Sequence, residues 1–374
     1  MKEFYLQHFG VRLLCYGCLI FLLLLFFVFL FLRLWPSFGG HASKNQKEEY
    51  RNRASNYVNE KFQNEKDLSL MSNSSKENHF VSTKGRKPME SLPTMKPNFL
   101  TNPSVEDLTV TWFGHSTILI QMSGMNILVD PIFSEYASPI QFVGPKRFSH
   151  SPISIHELPK IDVVLITHDH YDHLDYKTIQ EIDSKVIKYI VPLGVENHLI
   201  RWKIDEEKIH NMAWWEEFEM NGLTIACTPA QHFSGRSLND QFNTLWASYV
   251  LKNESYTIFE SGDTGFGNHF EEIHKKYGDM DLVMLDSGQY NVMWEGVHMH
   301  PEEVIQASEI LHARVTMPIH YGAFVLSNHP WDDGLERISN MAPASSRNLA
   351  TPMIGQTIRY SSSIETEEWW KEID

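Results

Sequence analysis

The chain has 374 residues, enough for two or three domains of ordinary size. Its 47 acidic residues exceed its 32 basic residues and give a formal net charge of −15, so we expect no nucleic-acid partner, which would need a basic surface. Three cysteines are too few for a disulfide framework, and a hydrophobic content of 42% excludes a wholly disordered chain.

A long apolar segment near the N-terminus predicts a membrane anchor. Residues 13–32 carry no charge and are mostly Leu, Phe, Ile and Val. A helix of this length rises about 30 Å, the hydrocarbon thickness of a bilayer, and it exceeds the apolar part of a cleavable signal peptide. Arg33 and Trp35 follow as interfacial residues. We therefore predict a single-pass anchor at residues 1–36, with a cytoplasmic C-terminal domain because more basic residues follow the span than precede it.

Residues 37–98 are predicted to form a polar linker. Asn, Lys, Glu, Ser and Gln dominate this stretch, with a short polar helix expected within residues 47–66. Residues 69–97 show neither a helical nor a strand period. The remaining part, residues 99–374, is long enough for one large α/β domain.

This domain contains short runs of β-branched and aromatic residues, bounded by Gly, Asn, Asp or Pro, that are typical of strands. Strands are predicted at residues 109–113, 117–122, 126–130, 163–167, 188–192, 223–228, 244–251, 256–260, 282–285, 315–319 and 355–360. Helices are predicted at residues 176–182, 269–277, 301–313 and 331–341. Strands in hairpin order, followed by strands that alternate with helices, favour a layered α/β sandwich.

The strongest chemical signal is a cluster of imidazoles and carboxylates directly after an apolar strand. Residues 163–166 are Val-Val-Leu-Ile, and residues 168–173 are His-Asp-His-Tyr-Asp-His. Loops at strand ends commonly carry the chemistry of α/β proteins, and imidazole is a frequent zinc ligand. The loop offers four potential ligands, His168, His170, Asp172 and His173. Because a catalytic zinc needs only three protein ligands, this loop indicates that two metals can bind.

Three single titratable residues further along the chain also follow strand-like runs. They are His232, Asp263 and His320. Asp263 lies in the sequence Ser-Gly-Asp-Thr-Gly, where glycines let the backbone bend tightly around a carboxylate. Since each residue ends an apolar run, we predict that all three join the loop 168–173 as metal ligands.

The loop 168–173 followed by these three residues resembles the pattern of metallo-β-lactamase superfamily hydrolases. Further motifs, in family order, resemble the N-acylphosphatidylethanolamine-hydrolysing phospholipase D family and its bacterial relatives. They are Trp-Phe-Gly-His-Ser-Thr at 112–117, Asp-Pro-Ile-Phe-Ser at 130–134, Gly-Pro-Lys-Arg-Phe at 144–148, Asp-His-Leu-Asp-Tyr at 172–176, Val-Pro-Leu-Gly at 191–194, Trp-Trp-Glu-Glu at 214–217 and His-Tyr-Gly at 320–322.

The resemblance implies an αββα sandwich of the metallo-β-lactamase type, here preceded by one transmembrane helix, and two zinc ions or another divalent metal. It implies that one ion is held by His168, His170 and His232. It implies that the other ion is held by Asp172, His173 and His320, with Asp263 as the bridge. The family also places the position of His298 near the metals, where it donates a proton to the leaving oxygen or holds a phosphate. The predicted catalytic residues are Asp172, Asp263 and His298.

The expected function is hydrolysis of a phosphodiester bond in a lipid of the N-acylphosphatidylethanolamine type, by attack of a hydroxide that bridges the metals. The expected partners are a phospholipid or small phosphodiester substrate and the membrane, through the N-terminal helix. Two alternatives stay open. One is a metal-dependent lactonase or other small-molecule hydrolase on the same site, and the other is a non-catalytic, membrane-tethered binding module.

Overall fold

The computed structural model describes residues 2–66, 68, 85–294, 296–345, 348–360, 364 and 366–373. Its helices are α1 (Lys2–Leu34), α2 (Lys44–Arg53), α3 (Tyr176–Ile182), α4 (Glu196–Arg201), α5 (His269–Tyr277), α6 (Pro301–Ile310) and α7 (Asp333–Ser345). Its strands are β1 (Tyr57–Val58), β2 (Lys61–Phe62), β3 (Leu108–Trp112), β4 (Ile118–Met122), β5 (Met125–Val129), β6 (Ile161–Leu165), β7 (Val186–Pro192), β8 (Ile209–Met212), β9 (Glu217–Met220), β10 (Leu223–Thr228), β11 (Ser248–Lys252), β12 (Thr257–Glu260), β13 (Leu282–Asp286), β14 (Val315–Ile319), β15 (Asn348–Leu349) and β16 (Thr357–Arg359).

Two mixed sheets of seven strands each build the domain. The first has the order β16-β3-β4-β5-β6-β7-β8, and the second has the order β15-β14-β13-β12-β11-β10-β9. In the first sheet β3 to β5 pair antiparallel and β5 to β8 pair parallel. In the second sheet β9 to β12 pair antiparallel and β12 to β15 pair parallel. Several strands of each sheet therefore run in the same direction and end at the same edge of that sheet.

The main core lies between the two sheets, and strand alternation explains the layers. Val163 and Leu165 of β6 belong to this inner core, whereas Val164 of the same strand packs outward with Ile179 of α3 and Leu199 of α4. The outer face of the second sheet is covered in the same way by α5, α6 and α7. Burial of each such aliphatic side chain contributes about 1.5–3 kcal/mol. The predicted αββα sandwich is confirmed.

The candidate membrane span is the apolar part of α1. Phe9–Leu34 has a mean hydropathy of 3.0, and the rest of the described protein does not bury it. By its length and composition, this segment could cross a membrane. A signal sequence meets the same criteria of length and composition. The single-pass anchor and its orientation stay predictions.

Residues 37–66 of the predicted polar linker pack against the domain and are called the docked segment below. Within it α2 begins at a capping box formed by Ser43 and Gln46. The buried side chains of this segment are Phe38, Tyr50, Ala54, Tyr57 and Phe62. These few apolar residues form one face of the segment, which packs against the domain. Many polar residues of the segment lie on the opposite face, in water. Residues 69–84 of the predicted linker lie outside the described residues.

Candidate metal centre

The loop of residues 168–173, called the histidine loop below, leaves the carboxyl end of β6. Asp130, directly after β5, supports it. One Asp130 oxygen accepts the Thr167 backbone N–H at 2.8 Å, and the other accepts the Thr167 hydroxyl at 2.6 Å. The second oxygen also lies 2.7 Å from Nδ1 of His173. A proton on this Nδ1 leaves Nε2 of His173 free to bind a metal.

The second sheet supplies three more side chains at the same edge. His232 follows β10, Asp263 follows β12 and His320 follows β14, and these three strands run in the same direction. Gly262 has a φ of 54°, and a Cβ there would lie 2.8 Å from Cβ of Thr167. Only glycine therefore lets the Asp263 turn pack against the start of the histidine loop.

The first group of potential ligands consists of His168, His170, His232 and Asp263, whose donor atoms all lie within 4.8 Å of one another. Nδ1 of His170 is 2.9 Å from Nε2 of His168 and 3.2 Å from Nε2 of His232. Oδ2 of Asp263 is 3.7 Å from Nε2 of both His168 and His232. Three imidazoles and one carboxylate thus converge on one small volume.

The second group consists of His115, Asp172, His173 and His320, again within 4.8 Å of one another. Asp263 also faces this group, since its Oδ2 is 3.2 Å from Nε2 of His173 and its Oδ1 is 3.0 Å from Nδ1 of His320. His320 has a φ of 68°, a conformation that costs a non-glycine residue about 1–3 kcal/mol. The structure therefore brings together all seven side chains that the sequence predicts as ligands, with Asp263 between the two groups.

His115 adds an eighth side chain that the family pattern did not include among the ligands. Its Nε2 lies 2.8 Å from Oδ2 of Asp172, and its ring lies against that of His320 at a tilt of 41°, with centroids 4.1 Å apart. His115 lies in a Gly-His-Ser turn with a φ of 55° and pairs with Tyr321 across the two sheets. Its contact with Asp172 orients that carboxylate towards His173.

The protonation states of most of these side chains suit metal binding. His173 is the exception: burial opposes its protonation, but the charges of Asp263 and Asp172 raise its pKa well above the ordinary value, so a metal there would displace a proton. Burial, with the charge of nearby histidines, lowers the pKa of His168 well below its ordinary value. Burial also lowers the pKa of His232 and that of His320. Although burial opposes ionisation of Asp263, the charges of His173 and His320 lower the pKa of this carboxyl well below its usual range. Neutral imidazoles and an ionised carboxylate are the forms that bind metals.

Two ring nitrogens give an independent test of whether these residues suit a bound metal. Nε2 of His173 and Nε2 of His320 are buried and have no hydrogen-bond partner among the described residues. Nε2 of His173 nevertheless lies 3.5 Å from Asp172 and 3.2 Å from Asp263. Buried polar atoms are almost always paired, and a cation among these atoms satisfies them. Imidazole and carboxylate donors suit zinc, iron or manganese.

His298 lies beside the metal groups and pairs with Asp286 at the end of β13. Nδ1 of His298 is 2.7 Å from Oδ2 of Asp286, and its ring stacks on His320 with centroids 5.2 Å apart. Burial raises the pKa of Asp286 to about 7. Burial opposes protonation of His298, but the charge of Asp286 raises the pKa of the imidazole. The short contact therefore favours a proton shared between Nδ1 of His298 and Asp286.

The docked segment contacts this centre directly. Asn64 forms two hydrogen bonds with the backbone of His232, at 2.7 and 3.1 Å. The backbone N–H of Gly40 donates to His198, and the other ring nitrogen of His198 lies 3.1 Å from Asp169 in the histidine loop. Sequence reasoning missed these contacts because nothing local in a polar stretch marks them.

Comparison with known proteins agrees with this architecture. The profile of the Beta-lactamase superfamily domain matches residues 125–321. The chain is 36% identical over 293 residues to an uncharacterized protein of Mycobacterium tuberculosis, covering 76% of this chain and 77% of that protein. It is 34% identical over 233 residues to the N-acyl-phosphatidylethanolamine-hydrolyzing phospholipase D 1 of Caenorhabditis elegans, covering 59% of this chain and 65% of that enzyme.

Among solved structures, Igni18, a metallo hydrolase of Ignicoccus hospitalis, has a TM-score of 0.51 and 19% identity, covering 68% of this chain and 98% of that one. This likeness concerns the fold. The profile match spans more than half of the chain and contains the histidine loop and all three ligand positions of the second sheet. The chain therefore belongs to the beta-lactamase superfamily, as the motifs predict, and is a metal-dependent hydrolase of that superfamily.

Proposed function

We propose that this hydrolase is a phospholipase D-type phosphodiesterase that acts on lipids of the N-acylphosphatidylethanolamine kind with two zinc ions. One ion would be held by His168, His170 and His232. The other would be held by Asp172, His173 and His320, with Asp263 shared. Two bound zinc ions supply a water of near-neutral pKa and stabilise negative charge on a phosphoryl oxygen.

The observation that carries the proposal is the position of the Asp263 carboxylate. It lies 3.7 Å from a ring nitrogen of His168 on one side and 3.2 Å from one of His173 on the other. A carboxylate that has imidazoles on both sides can act as a ligand for two cations at once, which supports the proposal that Asp263 is shared. Three imidazoles lie on one side, and two imidazoles with the Asp172 carboxylate lie on the other, so each side offers three further ligands.

The chain's own residues supply the remaining chemistry. His298, protonated through its contact with Asp286, gives a proton to the leaving oxygen. Cys227 does not serve as a nucleophile, because it is a buried residue of β10 and burial raises the pKa of its thiol well above the ordinary value. We assign the attack to a water molecule, which two bound metals would activate.

Two observations support a lipid substrate. The C. elegans relative is named for hydrolysis of N-acyl-phosphatidylethanolamine, and its likeness extends over 233 residues at 34% identity. In addition, a candidate membrane span precedes the domain, which would keep the site close to lipid.

The test uses the full-length protein in detergent micelles with added zinc and N-acylphosphatidylethanolamine. Mass spectrometry is expected to find phosphatidic acid and N-acylethanolamine in equal amounts. Asp263→Asn is expected to lose this activity and most bound zinc while staying folded. Asp162→Asn, which changes a carboxylate at the other end of β6, is the matched control. Full activity of Asp263→Asn, or turnover of a lactone without any phosphodiester cleavage, would contradict the proposal.

A further inference from the structure

An apolar cavity of about 420 Å³, called the foot cavity below, lies at the C-terminal end of α1. The wall on the side of the helix consists of Val28, Phe31, Leu32 and Phe38. The opposite wall consists of Phe233, Ser234, Gly235, Arg236, Ser237, Leu238 and Gln241. The cavity thus joins the candidate membrane span to the loop that follows His232.

One end of the foot cavity reaches the candidate metal centre. Phe233 lines the cavity, and its ring lies 4.6 Å from the ring of His170 and 4.8 Å from that of His232, measured between centroids. A single aromatic side chain therefore separates the cavity from two proposed zinc ligands.

Large apolar side chains are exposed near the foot cavity and near the base of α1. Leu238 is 78% exposed, and Phe142 is 76% exposed on the neighbouring loop. Trp35 joins that loop to the helix, since its indole N–H donates to the carbonyl of Pro139 at 2.7 Å. Large exposed apolar side chains around the base of an apolar helix mark a membrane contact, and Trp is favoured at such an interface.

We propose that the foot cavity binds an acyl chain of the lipid substrate and guides the phosphodiester to the metal centre. This inference rests on the proposed function. The occupant is a bilayer lipid because one wall is the candidate span itself, so a molecule in the membrane enters without crossing water. The volume falls in the range of ordinary ligand pockets.

Arg236 supplies the polar group that such a site needs. Its side chain is buried, and two of its nitrogens donate to backbone carbonyls of Ser37, Asp169 and Leu174. Its remaining nitrogen, Nη2, has no hydrogen-bond partner among the described residues. Through its three backbone contacts, Arg236 connects the wall of the foot cavity to the base of α1 and to the histidine loop.

The first test is photo-crosslinking, which needs no activity. Full-length protein in phosphatidylcholine nanodiscs would receive phosphatidylcholine with a diazirine in one acyl chain, followed by irradiation and peptide mass spectrometry. Label is expected on residues 233–241. Val28→Trp fills the cavity and reduces that label several-fold, whereas Leu19→Trp does not. Leu19 is 53% exposed and lies about two and a half helical turns before Val28, on the opposite face. Absent label on this loop, or equal label in both variants, would overturn the proposal.

The second test compares substrates. Val28→Trp should lower the ratio of turnover of long-chain N-acylphosphatidylethanolamine to turnover of bis(p-nitrophenyl) phosphate about tenfold, equivalent to about 1.4 kcal/mol, and Leu19→Trp should leave the ratio unchanged. An unchanged ratio in Val28→Trp counts against the acyl site. If the wild-type protein hydrolyses no phosphodiester at all, the proposed function fails, and crosslinking alone still decides whether the cavity holds an acyl chain.

Discussion

Replacement of Asp130 by Asn tests whether metal binding depends on the contacts that Asp130 makes with Thr167 and His173. One Asp130 oxygen accepts the Thr167 backbone N–H at 2.8 Å, and an amide oxygen can keep this contact. The other oxygen faces the Thr167 hydroxyl at 2.6 Å and Nδ1 of His173 at 2.7 Å. In Asp130→Asn an NH₂ group stands there, so a donor faces the proton on Nδ1 and the imidazole loses its fixed orientation.

The magnitude follows from the lost contact. A hydrogen bond to a charged group contributes about 1.5–3 kcal/mol, and about 1.4 kcal/mol corresponds to a factor of ten in affinity. We therefore expect zinc affinity to fall about 10–100-fold, the range typical of residues that orient a metal ligand. Thr167 keeps its backbone contact, so the fold should be retained.

The assay is competition for zinc between the protein and a chelator of known affinity, with circular dichroism to check the fold. Asp162→Asn is the control, because the Asp162 carboxylate accepts a backbone N–H from Asn126 at 2.8 Å, far along β6 from the histidine loop. Unchanged zinc affinity in Asp130→Asn would refute this reasoning, and so would an equal loss in Asp162→Asn.

Further predictions concern the docked segment and His298. Phe62→Ala removes a buried ring at a cost of about 3–5 kcal/mol, so hydrogen exchange in β1 and β2 should rise at least about 100-fold, whereas Val58→Ala, with 41% exposure, should change it little. Removing residues 1–66 should lower zinc content and turnover of bis(p-nitrophenyl) phosphate far more than removing residues 1–34; equal effects would contradict the docking. His298→Gln should slow hydrolysis of an alkyl phosphodiester about 10²–10⁴-fold but hardly that of bis(p-nitrophenyl) phosphate, whose leaving group needs no proton. Equal slowing of both substrates would argue against proton donation.

Much of the domain could be predicted because its strands are short runs of β-branched and aromatic residues that end at polar residues or glycine. The buried run of β6 and the histidine loop after it needed no knowledge of distant contacts. The same logic applied to the residues after β10, β12 and β14, which the structure brings to one edge. The groups of ligands were thus predictable from strand ends combined with the family pattern.

The missed elements lack such signals. β9 alternates charged and apolar residues without full burial, and α4 is only a short helix of six residues. The sequence predicts a polar linker over the docked segment because apolar residues are sparse there. Its burial depends on Tyr50 and Phe62 meeting Trp246 of the domain, a contact between residues far apart in sequence. Long-range packing of this kind leaves no local pattern.

Docking of residues 37–66 changes what an anchor can do. A flexible linker with the length of residues 37–98 would have a root mean square span of about 40–50 Å and would leave the site free to sample water as well as membrane. Here Arg236 donates both to the carbonyl of Ser37, just after the helix, and to carbonyls around the histidine loop. The metal centre is therefore tied to the base of α1, beside the candidate membrane span. Under the proposed function, this fixed position would favour substrates delivered by the bilayer over substrates that diffuse from solution.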